Sequence, residues 1–107
     1  MPDEKQSIDG LIRKLIALRG TELYVKVGRP PLVRVNARMR RLDDRVLNAR
    51  ETAALVTSIT PENVQQEVQE TGQADFTVDF QAGRLRVAVY TEHGDLGLVV
   101  RWIPESK

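Results

Sequence analysis

The sequence predicts an α+β fold, a single domain over residues 1–107 with an ordered core from about residue 7 to residue 104. One helical pattern is followed by three strand patterns, two helical patterns and three further strand patterns. Strands that follow one another through short turns pair antiparallel, so about six strands flanked by about three helices are expected. Hydrophobic residues make up 41% of the 107 residues and aromatic residues 5%, which predicts one aliphatic core.

The first helix is predicted over residues 7–19. Ser7 is a suitable N-cap, and Gly20 suits a left-handed C-terminal stop. Apolar residues recur at spacings of three and four, which places most of them on one helical face: Ile8, Leu11, Ile12, Leu15, Ile16 and Leu18.

A half-buried strand follows, since Leu23, Val25 and Val27 alternate with polar residues. Gly28-Arg-Pro-Pro31 cannot continue it, because consecutive prolines donate no hydrogen bonds to a ladder, so Gly28, Pro30 and Pro31 form a structural turn. Strands are expected again over residues 32–36 and 39–42, joined by a turn at 36–38.

Two helices are predicted next. Asn48-Ala-Arg-Glu51 has the spacing of a capping box, and Thr60-Pro61 offers a cap followed by proline at the first helical position. The second of these helices reaches about Thr71 and ends at Gly72, with Val64 and Val68 as its anchors. The first is expected to bury Ala53, Ala54, Leu55, Val56 and Ile59.

Residues 74–80, 84–90 and 96–103 alternate as three further strands, with turns at Gly83 and at His93-Gly-Asp95. In the middle strand Leu85, Val87 and Val89 point to one face and Arg84 and Arg86 to the other. Two guanidinium groups projecting together are suited to phosphate or carboxylate, although the solvated face of an amphipathic strand is the favoured explanation from the sequence alone.

Composition excludes several classes of protein. A net charge of +1 gives no general reason to expect nucleic acid as a partner. The interpretation as a small nucleic-acid binder depends only on one local group of arginines: Arg34, Arg38, Arg40, Arg41 and Arg45. No apolar run approaches the roughly 18 residues of a membrane span, so direct membrane insertion is not expected. The absence of cysteine fits a cytoplasmic protein.

Catalytic machinery is not expected in this chain. No Gly-x-x-x-x-Gly-Lys-Ser/Thr phosphate loop occurs, so hydrolysis of ATP by the chain alone is not predicted. His93 is the single histidine and lies at a predicted turn, which leaves no catalytic triad or two-histidine metal site. Asp75 and Asp79 are expected to face outward from a strand rather than to pair as general acid and base.

Four stretches in order resemble the PilT-like ATPases that retract type IV pili. Thr21-Glu-Leu-Tyr24 with Gly28-Arg-Pro-Pro31 is similar to the family's Ser-Asp-Leu-His and Gly-x-Pro-Pro. Arg41-Leu-Asp-Asp44 is similar to its Pro/Arg-Leu-x-x, and Glu70-Thr-Gly-Gln-Ala-Asp-Phe76 to its Glu-x-Gly-Glu-x-Asp-Phe. The fourth stretch joins two segments: Gly83-Arg-Leu-Arg-Val87 is similar to the family's Gly-Arg-Phe-Arg-Val-Asn, and Val100-Arg-Trp-Ile-Pro104 to its Leu-Arg-x-Ile-Pro.

The resemblance implies a PAS-like N-terminal domain that packs against the ATPase domain of the same or a neighbouring subunit in a hexameric ring and couples ATP turnover to pilus retraction. It implies that Arg84 and Arg86 reach the nucleotide edge of that interface. ATP and magnesium would belong to the ATPase domain, and no cofactor is expected on this chain alone. Pilus machinery proteins are the other implied partners, and a place at the inner-membrane pilus or secretion machine is expected.

The chain departs from the family where Ala88-Val-Tyr-Thr-Glu-His93 replaces Asn-x-Phe-x-Gln-Arg. Glu92 thus replaces a polar residue, and an acidic group near a phosphate site would repel a nucleotide. The alternative is therefore a stand-alone PAS-like regulatory or protein-interaction module that has lost its link to an ATPase. The length of the native open reading frame distinguishes the two hypotheses.

Overall fold

The computed structural model describes residues 7–105. The described chain contains three helices and six strands, and the predicted α+β class and element order are confirmed. The elements are α1 (Ile8–Ala17), β1 (Glu22–Val25), β2 (Leu32–Val35), β3 (Arg38–Arg41), α2 (Ala49–Ile59), α3 (Glu62–Thr71), β4 (Gln73–Phe80), β5 (Gly83–Glu92) and β6 (Asp95–Pro104). In residues 7–105 no helix is long and apolar enough to cross a membrane.

The six strands form one sheet in the order β3-β2-β1-β6-β5-β4, with every neighbouring pair antiparallel. The first and last strands of the chain are therefore neighbours at the centre of the sheet. β1 and β6 pair with Glu22 opposite Arg101 and Val25 opposite Leu98. This pairing places residues from the two ends of the sequence on one continuous surface.

The core lies on one face of the sheet, under the three helices. Its fully buried members are aliphatic, as the composition predicts, and burying each such side chain contributes roughly 1.5–3 kcal/mol. They come from α1, from the strands and from the segment before α2: Leu11, Ile12, Leu15, Leu23, Val25, Val33, Leu47, Leu85, Val87, Val89, Leu98 and Val100.

The end of α1 differs from the prediction. The helix stops at Ala17 rather than Arg19, and the residue with positive φ is Arg19, at 58°, not Gly20. Gly20 is needed for close packing instead. A Cβ there would lie 2.7 Å from Leu15 Cδ1 and 3.0 Å from the carbonyl oxygen of Arg34.

The capping box of α2 is confirmed: Glu51 N donates to Asn48 Oδ1 at 2.8 Å, and Asn48 N donates to Glu51 Oε1 at 2.9 Å. The prediction for Ala54 is wrong, because this residue is exposed and Thr52 is buried in the helix face instead.

The predicted start of α3 is also wrong. Pro61 is itself the N-cap, and Thr60 closes α2 by donating from Oγ1 to the Val56 carbonyl at 2.7 Å. No side-chain hydrogen bond caps α3, and the hydroxyl of Thr60 bonds to the preceding helix instead. Val68 is buried against the core as predicted, and Val64 packs against it in part.

The Gly-Pro-Pro turn is present, but β1 ends at Val25 and Val27 belongs to the turn rather than to the strand. Gly28 has φ 91°. Its N–H donates to the Leu47 carbonyl at 2.9 Å, and Leu47 N donates to the Arg29 carbonyl at 3.2 Å. The turn is therefore fastened to the segment that leads into α2, and it holds Leu47 in the core.

Gly28→Ala is expected to destabilise the protein by about 1–2 kcal/mol, because an L-residue at positive φ brings its Cβ against the following carbonyl oxygen. Steric space is not the cause, since nothing lies within 4 Å of a Cβ built at this position. Urea denaturation monitored by circular dichroism measures the change.

Ala37 offers the reverse substitution as a control. Asn36 and Ala37 form the two-residue turn between β2 and β3 with φ 52° and 66°, a geometry that favours Asn-Gly. Ala37→Gly is expected to raise the free energy of unfolding by up to about 1 kcal/mol. If Gly28→Ala and Ala37→Gly changed the free energy of unfolding in the same direction, this account of the two turns would be contradicted.

Candidate functional site

The sheet face opposite the helices carries the charged residues of the strands. On β5, Leu85 and Val87 point into the core, and Arg84 and Arg86 project from the other face with exposed side chains. The alternation predicted from the sequence thus places both arginines on one side of the strand. We call this side of the sheet the open face.

A second arginine lies beside Arg86 on the open face. In the register of β5 and β6, Arg86 is directly opposite Arg101. Like charges directly opposite one another destabilise a sheet, so this pairing is not a device for stability. The sequence analysis did not select Arg101 as a site residue. Its signal was the motif Val100-Arg-Trp-Ile-Pro104, which places the arginine on the open face by alternation.

Glu22 is the carboxylate beside this arginine pair, on the neighbouring strand β1. Its Oε1 accepts a hydrogen bond from Tyr24 Oη at 2.6 Å and from Arg34 Nε at 3.1 Å. Its Oε2 accepts from Arg101 Nη2 at 3.3 Å. The side chain of Glu22 is only 18% exposed, whereas that of Arg101 is 60% exposed.

These partners shift the titration of Glu22. The hydrogen bond from Tyr24 lowers the pKa of the Glu22 carboxyl below its usual value of 4.5, and the hydrogen bonds from Arg101 and Arg34 lower it further, against the effect of partial burial. Arg34 Nη2 also donates to Tyr24 Oη at 3.4 Å, and this hydrogen bond and the one to Glu22 raise the pKa of Arg34. Glu22 is therefore a carboxylate near neutral pH, with donors on both of its oxygens.

A shallow cleft of about 250 Å³ lies between these groups. Its open-face lining consists of Ala88 and Val99 with the charged side chains of Glu22, Asp75, Arg86 and Arg101. Within residues 7–105, Arg86 forms no side-chain hydrogen bond or ion pair. A free guanidinium opposite a second arginine can receive an oxyanion in two-point contact.

Arg84 lies outside this cleft. Its Nε is 3.7 Å from Asp79 Oδ1, and it is paired across the sheet with Ile103. It lines a separate open groove at the end of the sheet, together with Asp79, Ile103 and Pro104. The structure therefore places the two predicted site residues on one face but in different surroundings, and of the two it is Arg86 that has no counter-ion within residues 7–105.

Glu92 and His93 lie away from the arginine pair. Glu92 lies six positions after Arg86 on β5, roughly 20 Å away at about 3.3 Å per residue. The Glu92 carboxylate is 2.7 Å from Lys26 Nζ, and this contact lowers the pKa of Glu92. The repulsion expected from Glu92 does not act at Arg86, and the acidic groups that do line the cleft are Glu22 and Asp75.

The arginines between residues 34 and 45 do not share one face. Arg34 and Arg41 lie on the open face of the sheet, and Arg38 and Arg40 point to the opposite side of β3. Carboxylates accompany three of them: Arg34 contacts Glu22, Arg41 contacts Asp44, and Arg45 contacts Glu51. The continuous basic surface of a nucleic-acid binder is not formed by this group.

A second cleft of about 380 Å³ lies on the helical side, between α2, α3 and the hairpin of β5 and β6. Its lining has no charged side chain: Val56, Thr57, Thr60, Gln65, Val68, Gln69, Gly72, Val89, Thr91, Gly94 and Leu96. Gln65 Nε2 donates to the Thr60 carbonyl at 2.8 Å and fixes one wall.

The low pKa of Glu22 makes a prediction for stability against pH. A carboxyl whose pKa is lower in the folded state contributes stability above its unfolded value near 4.5 and loses it as the pH falls. Glu22→Gln is expected to cost about 1 kcal/mol at pH 7, and the deficit is expected to shrink as the pH falls from 5 to 3. Urea titrations of both proteins at several pH values measure it, and a deficit that is constant over this range would contradict the assigned contacts.

No model of a known protein family matches the chain. Two proteins of Pseudomonas aeruginosa do: the type IV pilus ATPase PilU, 26% identical over 94 residues, and the type IV pilus retraction ATPase PilT, 27% identical over 87 residues. These matches cover 87% and 80% of this chain, and the chain spans about a quarter of each relative, 25%.

Solved structures give the same result. The pilus retraction motor PilT with bound ADP superposes with a TM-score of 0.86 at 26% identity, over 94% of this chain and 30% of the motor. The ATPase DotB of Legionella pneumophila superposes with a TM-score of 0.78 at 22% identity, over 99% of this chain and 32% of DotB, and shows the fold alone. The chain is therefore similar, in sequence, in fold and in the order of its motifs, to the N-terminal region of the PilT-like ATPases.

Proposed function

We propose that the chain is the non-catalytic N-terminal domain of a PilT-like type IV pilus or secretion ATPase, a single PAS-like domain over residues 1–107. It docks against ATPase domains in a hexameric ring and couples ATP turnover to pilus retraction and so to twitching motility. The observation that carries the proposal is the match itself, which covers 80–87% of this chain but 25% of each relative.

The open face supports a docking role. Arg86 has no counter-ion within residues 7–105 and faces Arg101, an arrangement that lowers stability and that an anionic partner would stabilise. Glu22 orders the neighbouring surface through its hydrogen bonds from Tyr24, at 2.6 Å, and from Arg34, at 3.1 Å. We assign this face to contact with an ATPase domain of the same or a neighbouring subunit.

ATP and magnesium, in this proposal, are bound by the ATPase domain and not by this chain alone. The chain's contribution is charge at the nucleotide edge of the interface, where Arg86 and Arg84 face the phosphates. The paired guanidinium groups of Arg86 and Arg101 fit this purpose because a planar fork binds phosphate oxygens at two points. The assembly would lie in the cytoplasm at the inner-membrane pilus or secretion machine, in contact with other pilus machinery proteins.

The test is association with an ATPase domain. Titration calorimetry with the Pseudomonas aeruginosa PilT ATPase domain, prepared without its own N-terminal domain, should show saturable binding that weakens with salt. Arg86→Ala should reduce the affinity, and Arg50→Ala, which removes the same charge from the exposed surface of α2, should not. Absence of binding, or equal losses in both variants, would contradict the proposed docking face.

The uncharged cleft favours a second candidate, a stand-alone PAS-like module that binds a neutral small ligand or a partner protein between α2, α3 and β5. The lining of this cleft combines apolar and uncharged polar side chains, and pockets for small ligands likewise join apolar walls to a few placed polar groups. A native gene that ends near Lys107, together with no affinity for an ATPase domain, would favour this candidate over the first.

A further inference from the structure

The two arginines that face each other on the open face are not equivalent. Arg101 contacts the Glu22 carboxylate at 3.3 Å, and Arg86 contacts no carboxylate within residues 7–105. Glu22 lies opposite both Arg34 and Arg101 in the register of β1 with its two neighbours. The Glu22 carboxylate therefore contacts the guanidinium groups of Arg34 and Arg101 directly. The guanidinium group of Arg86, on the strand beyond Arg101, is not neutralised by a carboxylate within residues 7–105.

The three contacts of Glu22 differ in strength. Tyr24 Oη at 2.6 Å and Arg34 Nε at 3.1 Å both donate to Oε1, and Arg101 Nη2 at 3.3 Å is the longest contact and the one donor to Oε2 within the described residues. Charge-assisted hydrogen bonds are usually about 2.7–2.9 Å long. The Arg101 contact is thus the weakest of the three, and its loss leaves Glu22 with two donors.

We propose that Glu22 is an internal counter-ion that competes with a phosphate-type oxyanion for Arg101. In the free domain Arg101 is held by Glu22. When the oxyanion binds between Arg86 and Arg101, the Arg101 guanidinium turns from Glu22 Oε2 to the oxyanion, and Tyr24 and Arg34 retain the Glu22 carboxylate. The inference rests on the proposed function, because the oxyanion it commits to is the β- and γ-phosphate group of a nucleotide at the interface.

Geometry and charge support this exchange. Both Arg101 and Glu22 line the 250 Å³ cleft that also contains Arg86, so the guanidinium can reach an anion there by rotation of its own side chain. The Arg101 side chain is 60% exposed, and an exposed ion pair contributes little free energy and is readily exchanged. Glu22 is then a positioning residue that sets how tightly the open face holds an anion.

The experiment uses inorganic pyrophosphate as the probe and the arginine Nε–Hε resonances of the whole chain as the readout. Glu22→Gln should bind pyrophosphate about two- to fivefold more tightly than the unaltered chain, the range expected for removal of an exposed competing ion pair. Glu92→Gln changes the net charge equally but frees Lys26 instead, far from Arg86, and should alter the affinity by less than the Glu22 variant does.

A second measurement needs no substitution. In the unaltered chain, pyrophosphate should shift the Arg101 Nε resonance and the Glu22 side-chain carboxyl ¹³C resonance together, with the same midpoint, because one contact breaks as the other forms. A shift at Arg86 and Arg101 with no change at Glu22 would overturn the exchange even if Glu22→Gln failed to fold.

The controls separate failure of this inference from failure of the proposed function. If Arg86→Ala and Arg101→Ala leave pyrophosphate binding unchanged, the open face is not an anion site and both ideas fail. If those two variants lose affinity but Glu22→Gln and Glu92→Gln behave alike, the anion site stands and the competing role of Glu22 is wrong.

Discussion

Arg86→Ala is expected to reduce ATP turnover on the order of 10²-fold when the chain is joined to, or mixed with, a PilT-like ATPase domain. Removing one preorganised donor from a developing phosphate charge has an effect of about this size. The stability of the chain itself should change by less than about 0.5 kcal/mol, because Arg86 is exposed and its cross-strand neighbour Arg101 repels it. Coupled turnover and urea denaturation measure the two quantities.

The contrast with Arg84 makes this expectation specific. Arg84 is within 3.7 Å of Asp79 and lines a different groove, so Arg84→Ala should lower turnover less than Arg86→Ala does. Arg50→Ala is the matched surface control. Unchanged ATPase activity and assembly in both the Arg84 and the Arg86 variants would show that the proposed nucleotide-edge role is wrong.

Leu85→Ala is expected to lower the free energy of unfolding by about 3 kcal/mol, within the 2–5 kcal/mol usual for buried leucines. Leu85 is 0% exposed and lies between Arg84 and Arg86 on the same strand, pointing into the core. For a domain of this size the corresponding fall in Tm is on the order of 15 °C. Thermal unfolding followed by circular dichroism measures it.

Val99 on the adjacent strand supplies the control for Leu85. It lies on the open face opposite Ala88 and is only partly buried. Val99→Ala should therefore cost less than about 1 kcal/mol. A larger loss at Val99 than at Leu85 would mean that the core lies on the other face of the sheet.

The parts of the fold that depend on local pattern could be predicted from the sequence. The side on which Arg84 and Arg86 project follows from strict alternation along β5, and the capping box of α2 follows from the spacing of Asn48 and Glu51. Each of these features is decided by residues within a few positions of one another, where period and cap chemistry determine the structure.

Features that depend on distant parts of the chain could not be predicted in the same way. Arg101 faces Arg86, and Glu22 faces Arg101, only because β6 lies between β1 and β5 in the sheet. The register between strands 79 residues apart in sequence, as for Glu22 and Arg101, is not encoded in either strand alone. The ion-pair network at the site was therefore missed, although every member of it alternates correctly along its own strand.

Two local errors have the same origin. The sequence predicts Gly20 as a left-handed helix stop. Its small size is instead required by the close approach of Leu15 in α1 and of the Arg34 carbonyl in β2. Thr60 reads as the N-cap of α3, but its hydroxyl completes α2. In each case the residue type suits two roles, and the contact that decides between them is made by a neighbouring element.

The most direct test of the docking proposal is a map of the surface that an ATPase domain covers. Adding unlabelled Pseudomonas aeruginosa PilT ATPase domain to the ¹⁵N-labelled chain should perturb or broaden the resonances of open-face residues on β5, β6 and β1, among them Arg86, Val99 and Glu22. Resonances of the exposed residues of α1 and α3 should stay unchanged. Perturbations confined to the helical side, or absent altogether, would contradict the claim that the open face is the coupling surface.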